Sequence, residues 1–256
     1  MIDPLAKIDP GARLGRNVHV GPWSYIGADV EIGDDCVVHS HVVIKGPTRI
    51  GRDNEVFQFA TLGEATPDLK YRGEPTELII GDHNRIREGV TVHRGTVQDR
   101  SETRIGSHNL IMAYVHIGHD CVIGDHVILV NNASLAGHVL VDDWAFLSGY
   151  TLVHQYVNVG AHAFVGAAAY LNQDVPAYVM ATGHPAVPRT VNKVGLERRG
   201  FTGHQIKAIQ DAYKTLYRRG LKLEQALAEL EAKDAHADVL APMIDSIRRS
   251  SRGIIR

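Results

Sequence analysis

Branched aliphatic residues recur every six positions through most of this 256-residue chain. They occupy 25 positions, all Ile, Leu or Val, in a run from Ile8 to Val92 and a second run, shifted by one residue, from Ile105 to Leu171. Each hexad supplies only one inward side chain, so a single coil has no core of its own. The coils must therefore stack on one another. The period therefore predicts a triangular parallel β-helix, with three hexads to a coil and one hexad on each face.

Small residues accompany the inward aliphatic residues. Glycine directly follows the aliphatic residue at 12 of the 25 positions. Three places after the glycine position, as the fifth residue of the hexad, a small residue is common. We interpret the glycines as corner residues, because glycine tolerates backbone angles that other residues avoid. Cys36 and Cys121 lie in hexads, which favours buried core thiols over a disulfide. We therefore expect a reducing cytoplasm as the location.

Two polar stretches interrupt the repeats, at residues 63–79 and 95–104. Insertions in a solenoid project from its surface and often build the binding face. We predict a binding role for the first loop, whose Asp68 and Lys70 offer opposite charges to a polar ligand. For the second loop, a binding role and a tolerated excursion stay equally open.

The hexads end after about Pro176, and a proline-containing linker is expected before a helical pattern begins. Thr202 is a candidate N-cap, since Phe201 and Ile206 flank it with the spacing of a hydrophobic staple. The three predicted helices run from Thr202 to Gly220, from Leu223 to Leu230 and from Val239 to Ile247. The predicted domains are a β-helix over residues 1–187 and a helical domain over residues 188–256.

Charge is divided unevenly between these two parts. Residues 188–256 hold 14 Lys and Arg against 8 Asp and Glu, a net of +6, whereas residues 1–187 hold 13 against 21, a net of −8. A basic helical region favours phosphates or an acidic protein as partner, and a solvated face without a partner stays open. No nucleic-acid reading motif accompanies the charge, and no apolar run reaches the ~20 residues that cross a bilayer. We therefore expect neither nucleic-acid binding nor membrane insertion.

Three short stretches lie eighteen residues, or three hexads, apart. They are Gly118-His119-Asp120, Ala136-Gly137-His138 and His154-Gln155-Tyr156. In stacked coils, His119, Gly137 and Gln155 would form one ladder, and Asp120, His138 and Tyr156 a second ladder beside it. A histidine can take a proton from a hydroxyl nucleophile, and a neighbouring carboxylate orients its ring. With the Gly137 N–H as oxyanion donor and no Ser or Cys in the ladder, the pattern indicates direct acyl transfer to a bound alcohol. On spacing alone, histidines that only satisfy corner hydrogen bonds remain an equal alternative.

The 15 histidines also raise the possibility of a metal site. Catalytic zinc needs three converging ligands, and no three histidines fall in one ladder. We therefore expect no metal and no cofactor. A metal-dependent hexapeptide enzyme, such as a γ-type carbonic anhydrase, and a non-catalytic scaffold are the rival classes.

Longer strings in the chain closely resemble the UDP-N-acetylglucosamine O-acyltransferase family of hexapeptide-repeat acyltransferases, over nearly the whole length. These strings are Asp68-Leu69-Lys70-Tyr71, Ile86-Arg87-Glu88, Val92-His93-Arg94-Gly95-Thr96, His116-Ile117-Gly118-His119-Asp120, Asn131-Asn132, Ala136-Gly137-His138, Val153-His154-Gln155 and Arg198-Arg199-Gly200-Phe201. The resemblance implies left-handed coils, a homotrimer with sites between subunits, and the first step of lipid A biosynthesis. That step moves a 3-hydroxyacyl chain from acyl carrier protein to the glucosamine 3-hydroxyl of UDP-N-acetylglucosamine.

The resemblance also implies a role for individual residues. His119 would be the general base, Asp120 its partner and Gly137 the oxyanion donor. The residues expected around the sugar nucleotide are Asp68, Lys70, His116, His138, His154, Gln155, Asn192, Arg198 and Arg199. The acidic carrier protein would dock on the basic helical region, with Lys214, Arg218 and Arg219 as candidates.

Two positions depart from the family pattern. Val194 replaces the glutamate that the family commonly has four residues before the paired arginines, which removes one expected contact to the nucleotide. Ala167 stands where a residue without a side chain would admit a longer acyl chain. We therefore predict a hydroxyacyl chain of about ten to twelve carbons, with Ala167 as the length determinant.

Overall fold

The computed structural model describes residues 1–232 and 237–256. Within them the chain forms short β-strands followed by helices. The strands are β1 (Lys7–Ile8), β2 (Arg13–Leu14), β3 (His19–Val20), β4 (Tyr25–Ile26), β5 (Val30–Ile32), β6 (Val37–Val38), β7 (Val43–Ile44), β8 (Thr48–Ile50), β9 (Glu55–Val56), β10 (Thr61–Glu64), β11 (Glu77–Ile80), β12 (Arg85–Ile86), β13 (Thr91–His93), β14 (Glu102–Ile105), β15 (Leu110–Ile111), β16 (His116–Ile117), β17 (Val122–Ile123), β18 (Ile128–Leu129), β19 (Ser134–Leu135), β20 (Leu140–Val141), β21 (Phe146–Leu147), β22 (Leu152–Val153), β23 (Asn158–Val159), β24 (Phe164–Val165), β25 (Tyr170–Leu171), β26 (Val179–Gly183) and β27 (Ala186–Val191). The helices are α1 (Lys193–Arg198), α2 (Gly203–Tyr217), α3 (Leu223–Glu231) and α4 (Ala237–Arg248).

Each of the strands β1 to β25 contains one of the hexad aliphatic residues. All of these residues are buried except Ile8 and Leu14, which lie partly buried in the first two strands. The fifth residue of each hexad is buried as well, except the partly buried Ala12, and both cysteines, which are free thiols, occupy this place. The hexads therefore form the core, and the predicted β-helix is confirmed.

Three sheets form the faces of the helix. Sheet 1 has the order β1-β4-β7-β10-β13-β16-β19-β22-β25, and sheet 2 has the order β2-β5-β8-β11-β14-β17-β20-β23. Sheet 3 has the order β3-β6-β9-β12-β15-β18-β21-β24-β26-β27. Strands one coil apart pair in parallel and in register; Ile117 pairs with Leu135, and Leu135 with Val153. This register stacks residues that are eighteen positions apart.

The hexad glycines lie at the corners between strands as predicted, except Gly63 within β10, but the explanation by unusual backbone angles is wrong. Positive φ angles fall instead on the third residue after the aliphatic, such as Asp120 (φ 59°) and His138 (φ 64°), and among the 12 hexad glycines only on Gly63. The hexad glycines permit close approach between coils, because a Cβ on Gly33 would lie 2.7 Å from the carbonyl carbon of Gly51. Glycine is needed there for space rather than for backbone freedom.

An antiparallel hairpin replaces the linker expected after Pro176. Strand β26 adds in parallel to β24 of sheet 3, and β27 pairs antiparallel with β26. Val179, Ala181 and Val191 are buried, so the period changes from six to the alternation of a two-sided hairpin. The predicted boundary at residues 187 and 188 falls inside β27, and the division into two domains stays a prediction.

The three predicted helices correspond to α2, α3 and α4, whereas the short helix α1 was not expected. Thr202 caps α2 as predicted, in a capping box with Gln205. The irregular parts of the two loops cover residues 65–76 and 94–101, because Glu64 belongs to β10 and Glu77 to β11. Arg94 secures the first loop through hydrogen bonds to the carbonyls of Gly46 and Gly63 and to the hydroxyl of Tyr71. Among the described residues, no helix is long and apolar enough to cross a membrane.

Candidate active site

His119 and Asp120 lie at the corner where the chain passes from sheet 1 (β16) to sheet 2 (β17), which we call the His119 corner. Gly137 occupies the equivalent place one coil on, and Gln155 two coils on. Adjacent strand residues point to opposite faces, so a His-Asp pair in sequence needs a bend. The positive φ of Asp120 supplies this bend.

His119 and Asp120 form a hydrogen-bonded pair, with 2.8 Å between Nδ1 and Oδ2. Asp120 is fully buried and also accepts hydrogen bonds from the Thr96 N–H and from its hydroxyl, the latter at 2.7 Å. Burial alone would raise the pKa of Asp120, but the hydrogen bonds from His119 and Thr96 outweigh it and hold this pKa below the ordinary value. Asp120 is therefore a fixed anion that orients the His119 ring and leaves Nε2 as the free ring nitrogen.

Gly137 lies directly against the His119 ring. A Cβ at this position would be 2.5 Å from His119 Nε2, so a side chain here would displace the imidazole. The Gly137 N–H takes part in none of the hydrogen bonds found among the described residues. A free backbone donor thus lies beside the free nitrogen of His119.

The second loop builds part of this corner. Besides Thr96, its Asp99 accepts a hydrogen bond from His138, at 2.7 Å between Oδ2 and Nδ1. The other side of the His138 ring stacks on Tyr156, with 4.2 Å between the centroids. Sequence reasoning missed Thr96 and Asp99, because nothing in an irregular loop fixes which of its side chains turns back toward the coils.

His116 lies on the outer face of sheet 1, in β16, the strand that leads directly into the His119 corner. Its Nδ1 lies 2.8 Å from the hydroxyl of Thr91, and its ring meets His93 edge-on at 5.1 Å. Burial, followed by the nearby His116, lowers the pKa of His93 to about 4. Burial and then the charge of His119 lower the pKa of His116. Both rings are therefore neutral hydrogen-bonding groups near pH 7.

The first loop reaches the same corner through Asp68. Its Oδ2 lies 3.8 Å from His119 Nε2, and its Oδ1 accepts the backbone N–H of Lys70. The Lys70 side chain is exposed. His154 and Gln155 lie on the coil two steps from His119, where His154 is partly buried and Gln155 exposed.

Asn192, Arg198 and Arg199 lie elsewhere, near the corner between sheets 2 and 3, which we call the Trp144 corner. Together with α1 they line a cavity of about 600 Å³ over sheet 3. The Asn192 side chain caps α1 through the Gly195 N–H and donates to the His162 carbonyl, so it mainly shapes the wall. Among the described residues, none of these three side chains contacts the His119 corner. One chain therefore carries the predicted site in two separate halves.

The remaining face of the cavity is apolar and aromatic. The Arg199 guanidinium lies 5.2 Å from the centre of the Trp144 ring and donates to His162 Nδ1, while Arg198 is exposed at the rim. Phe146 and Phe164 stack on the floor, with 5.1 Å between their centroids. The exposed Val194, at the position of the missing glutamate, also lines this cavity.

Ala167 lies at the third corner, between sheets 3 and 1, just before β25. It is exposed and lies three coils along from His116. The outer face of sheet 1 connects the two places through Ser134, Leu152 and Tyr170, and Leu152 is 46% exposed. A path along the outer face of sheet 1 thus leads from the His119 corner toward Ala167.

The donor atoms of His119, Asp120 and His138 lie within 4.8 Å of one another. Sequence reasoning compared histidines within one ladder, whereas this cluster joins two ladders through a buried carboxylate. Asp120 Oδ2 already accepts His119 Nδ1 and the Thr96 hydroxyl, so its lone pairs face protein donors. The hydrogen-bond pattern favours a base and its orienting acid over a set of metal ligands.

Comparisons with known proteins place this geometry in a family. A model described as Udp N-acetylglucosamine O-acyltransferase, domain 2, matches residues 174–255, and a model described as bacterial transferase hexapeptide (six repeats) matches residues 11–46 and 102–137. The chain is 62% identical to the acyl-[acyl-carrier-protein]–UDP-N-acetylglucosamine O-acyltransferase of Stutzerimonas stutzeri, over 100% of this chain and 99% of that protein. The chain belongs to the UDP-N-acetylglucosamine O-acyltransferase family.

Solved structures of UDP-N-acetylglucosamine acyltransferases agree with this membership. The Francisella novicida protein matches with a TM-score of 0.97 at 43% identity, covering 100% of this chain and 94% of that chain. The Bacteroides fragilis protein matches with a TM-score of 0.97 at 39% identity, covering 100% of both chains. The fold is the left-handed parallel β-helix with C-terminal helices that characterises this acyltransferase family.

Proposed function

We propose that this chain transfers a 3-hydroxyacyl group from acyl carrier protein to the glucosamine 3-hydroxyl of UDP-N-acetylglucosamine, the first step of lipid A biosynthesis in the cytoplasm. Its 62% identity to a protein named for this acyl transfer supports the reaction. The single observation that carries the mechanism is the His119–Asp120 pair beside the free Gly137 N–H. Base, orienting acid and oxyanion donor converge where a hydroxyl and a thioester can meet.

In this mechanism His119 Nε2 accepts the proton of the sugar hydroxyl as its oxygen attacks the thioester carbonyl. The negative charge that develops on the carbonyl oxygen is stabilised by the Gly137 N–H. Asp120 holds Nδ1–H and stabilises the imidazolium. Collapse of the intermediate expels the carrier-protein thiolate, which takes the proton from His119, so the acyl group passes directly to the sugar.

The product tests this function. Purified protein mixed with UDP-N-acetylglucosamine and 3-hydroxyacyl carrier protein should give a UDP-sugar heavier by one hydroxyacyl group, identified by mass. General-base catalysis contributes about 10²–10⁴-fold, so His119→Ala should lose activity by that factor while keeping its thermal midpoint. Near-normal transfer by His119→Ala would contradict the mechanism, and stoichiometric zinc or iron in active protein would favour a metal-dependent one.

We also propose that the active form is a homotrimer with each site between two chains. Four exposed aromatic side chains line the corner between sheets 3 and 1, which we call the Tyr114 corner: Trp23, Phe59, Tyr114 and Tyr150, each 60–67% exposed. An exposed stripe of aromatic side chains, with His41 packed between Trp23 and Phe59, marks an interaction surface. Packing three such corners around a threefold axis would cover the stripe.

This packing would join the two halves of the site. With the Tyr114 corner at the axis, sheet 3 of one subunit faces sheet 1 of the next across a cleft. The His119 corner, at the outer end of sheet 1, would then lie opposite the cavity with Arg198 and Arg199. Ala167, at the Tyr114 corner, would lie at the inner end of the cleft. Light scattering should give three times the chain mass of 28.1 kDa, and an active monomer would contradict the proposal.

The sugar nucleotide and the carrier protein would use different parts of this assembly. Asp68, Lys70, His116, His138, His154 and Gln155 would surround the sugar, while Arg198 and Arg199 would bind the phosphates. The acidic carrier protein would dock on the helical region, guided by its +6 charge. Lys214 forms an ion pair with Asp211 and Arg219 with Glu229, so their charges are partly neutralised.

We predict that Ala167 limits the hydroxyacyl chain to about ten to twelve carbons. A methyl group at the inner end of the path takes space that a longer chain would need, and one methylene in a pocket is worth about 1–3 kcal/mol. Ala167→Gly should therefore shift the preference toward longer donors, measured as kcat/KM across carrier proteins of different chain length. A clear preference of the unmodified protein for fourteen carbons would contradict this.

A further inference from the structure

A second, smaller cavity lies in the helical region, away from the His119 and Trp144 corners. It has a volume of about 180 Å³ and is lined by Val187, Pro188, Tyr213, Tyr217, Arg218 and Arg256. The tail is held in place because the Ile255 N–H donates to the Asp174 carbonyl and the Gly253 carbonyl accepts the Asp174 N–H. Arg256 therefore lies at the cavity as part of the folded chain.

The O–H groups of two phenols in the wall of this cavity have no acceptor. The hydroxyl oxygens of Tyr213 and Tyr217 are buried and donate no hydrogen bond among the described residues, while the Arg218 guanidinium lies close enough to the Tyr213 oxygen to act on its pKa. Their rings pack together with 4.9 Å between the centroids. A buried hydroxyl without a partner costs about 1–3 kcal/mol, so two side by side indicate that something else accepts or donates there.

The charged side chains that act on the two phenols are all arginines. Burial raises the pKa of Tyr213 and of Tyr217. Arginines oppose this rise, Arg218 and Arg189 at Tyr213 and Arg256 at Tyr217. Over the described part of the chain, Arg218 and Arg256 form no ion pair, in contrast to Arg219, which pairs with Glu229. Two guanidinium groups and two O–H donors thus line one small cavity whose described wall contains no acidic side chain.

We propose that this cavity binds a phosphate-class oxyanion through Arg218, Arg256, Tyr213 and Tyr217. Guanidinium groups bind tetrahedral oxyanions by charge-assisted hydrogen bonds, and each phenol adds a donor. The volume exceeds that of a single water molecule, at roughly 30 Å³, which leaves room for one such anion. The anion would join α2, the hairpin and the C-terminal residue, and so stabilise the packing of the helical region on the β-helix.

Binding of inorganic phosphate to the full-length protein tests the proposal. Calorimetry in chloride buffer of matched ionic strength should show saturable binding, and the thermal midpoint should rise by several degrees with phosphate. Arg218→Gln and Tyr217→Phe should weaken the affinity at least tenfold, and Arg219→Gln, the neighbouring arginine with a partner, should keep it. The phenylalanine variant preserves the packing of the ring, so it separates loss of the donor from loss of the fold.

A second titration with glycerol 3-phosphate identifies the source of the phosphoryl group. Binding of phosphate alone assigns the site to a free oxyanion, and binding of both assigns it to a phosphoryl group on a larger molecule. No saturable binding of either ligand, or equal affinity in Arg218→Gln, overturns the proposal and leaves bound water as the partner of the phenols. Neither readout uses acyl transfer, so it is independent of the proposed reaction.

Discussion

Asp99 lies outside the stacked ladders and still determines how one of their side chains is held. Its carboxylate accepts the Nδ1 hydrogen of His138, which leaves Nε2 of that ring directed away from the loop. The arrangement repeats the His119–Asp120 pair one coil further on, with the acid supplied by a loop instead of the neighbouring residue. We infer that Asp99 positions His138 for the sugar.

Asp99→Asn should lower kcat/KM for UDP-N-acetylglucosamine about tenfold. A hydrogen bond to a charged group contributes about 1.5–3 kcal/mol, less for an acid that is partly exposed, and 1.4 kcal/mol is a factor of ten. The matched control is Asp53→Asn, which alters a His–Asp pair with His83 on another coil. Steady-state kinetics that place both variants within twofold of the unmodified enzyme would remove Asp99 from the site.

At the scale of the elements, the coils depend on glycine for their spacing. A Cβ on Gly33 would lie 2.7 Å from both the carbonyl carbon and oxygen of Gly51, closer than backbone atoms can be approached. Gly33 has no positive φ, so the loss on substitution would come from crowding alone. The hexad sequence thus encodes the distance between coils as well as the direction of each side chain.

Gly33→Ala should destabilise the protein by about 1–3 kcal/mol, the usual cost of forcing extra volume into a packed structure. Gly203→Ala, in the first turn of α2 with nothing within 4 Å of the added Cβ, should be neutral or slightly stabilising. Denaturant unfolding of both variants gives the comparison. Equal stability of the two would show that the coils can separate enough to admit a methyl group.

The sequence predicts the repeating elements well and the irregular ones poorly, for a physical reason. A hexad such as Ile117-Gly118 fixes burial, register and the neighbour eighteen residues away, so the His119 corner follows from counting. Thr96 and Asp99 follow no period, and their contacts depend on how a loop folds back. The hairpin over β26 and β27 was also missed, because its two-residue alternation resembles a linker when it contains Pro185 and Pro188.

At the scale of the whole molecule, buried histidines make stability depend on pH. Burial lowers the pKa of His93 and of His162 to about 4, whereas unfolding returns each toward its ordinary value near 6.5. Between pH 6.5 and 4 the unfolded chain therefore binds more protons than the folded chain. Stability falls as the pH falls through this window.

His93→Gln should flatten this loss, by an amount on the order of 2–3 kcal/mol over the full window. Free energies of unfolding from denaturant titrations at several pH values between 4 and 7 measure the slope. His204→Gln, which removes an exposed histidine, serves as the control and should keep the slope of the unmodified protein. An unchanged slope in His93→Gln would mean that this ring is accessible to protons in the folded state.

The central claim for the whole molecule is that each site combines the His119 corner of one chain with the arginines of its neighbour. Mixing unfolded His119→Ala and Arg198→Ala chains in equal amounts and refolding them tests it directly, because each mixed trimer would contain one cleft with both halves intact. Three quarters of the trimers would be mixed, so activity should recover to about one quarter of the unmodified level, from two parents that are each nearly inactive. Activity that stays at the level of the parents would contradict a shared site and confine the chemistry to a single chain.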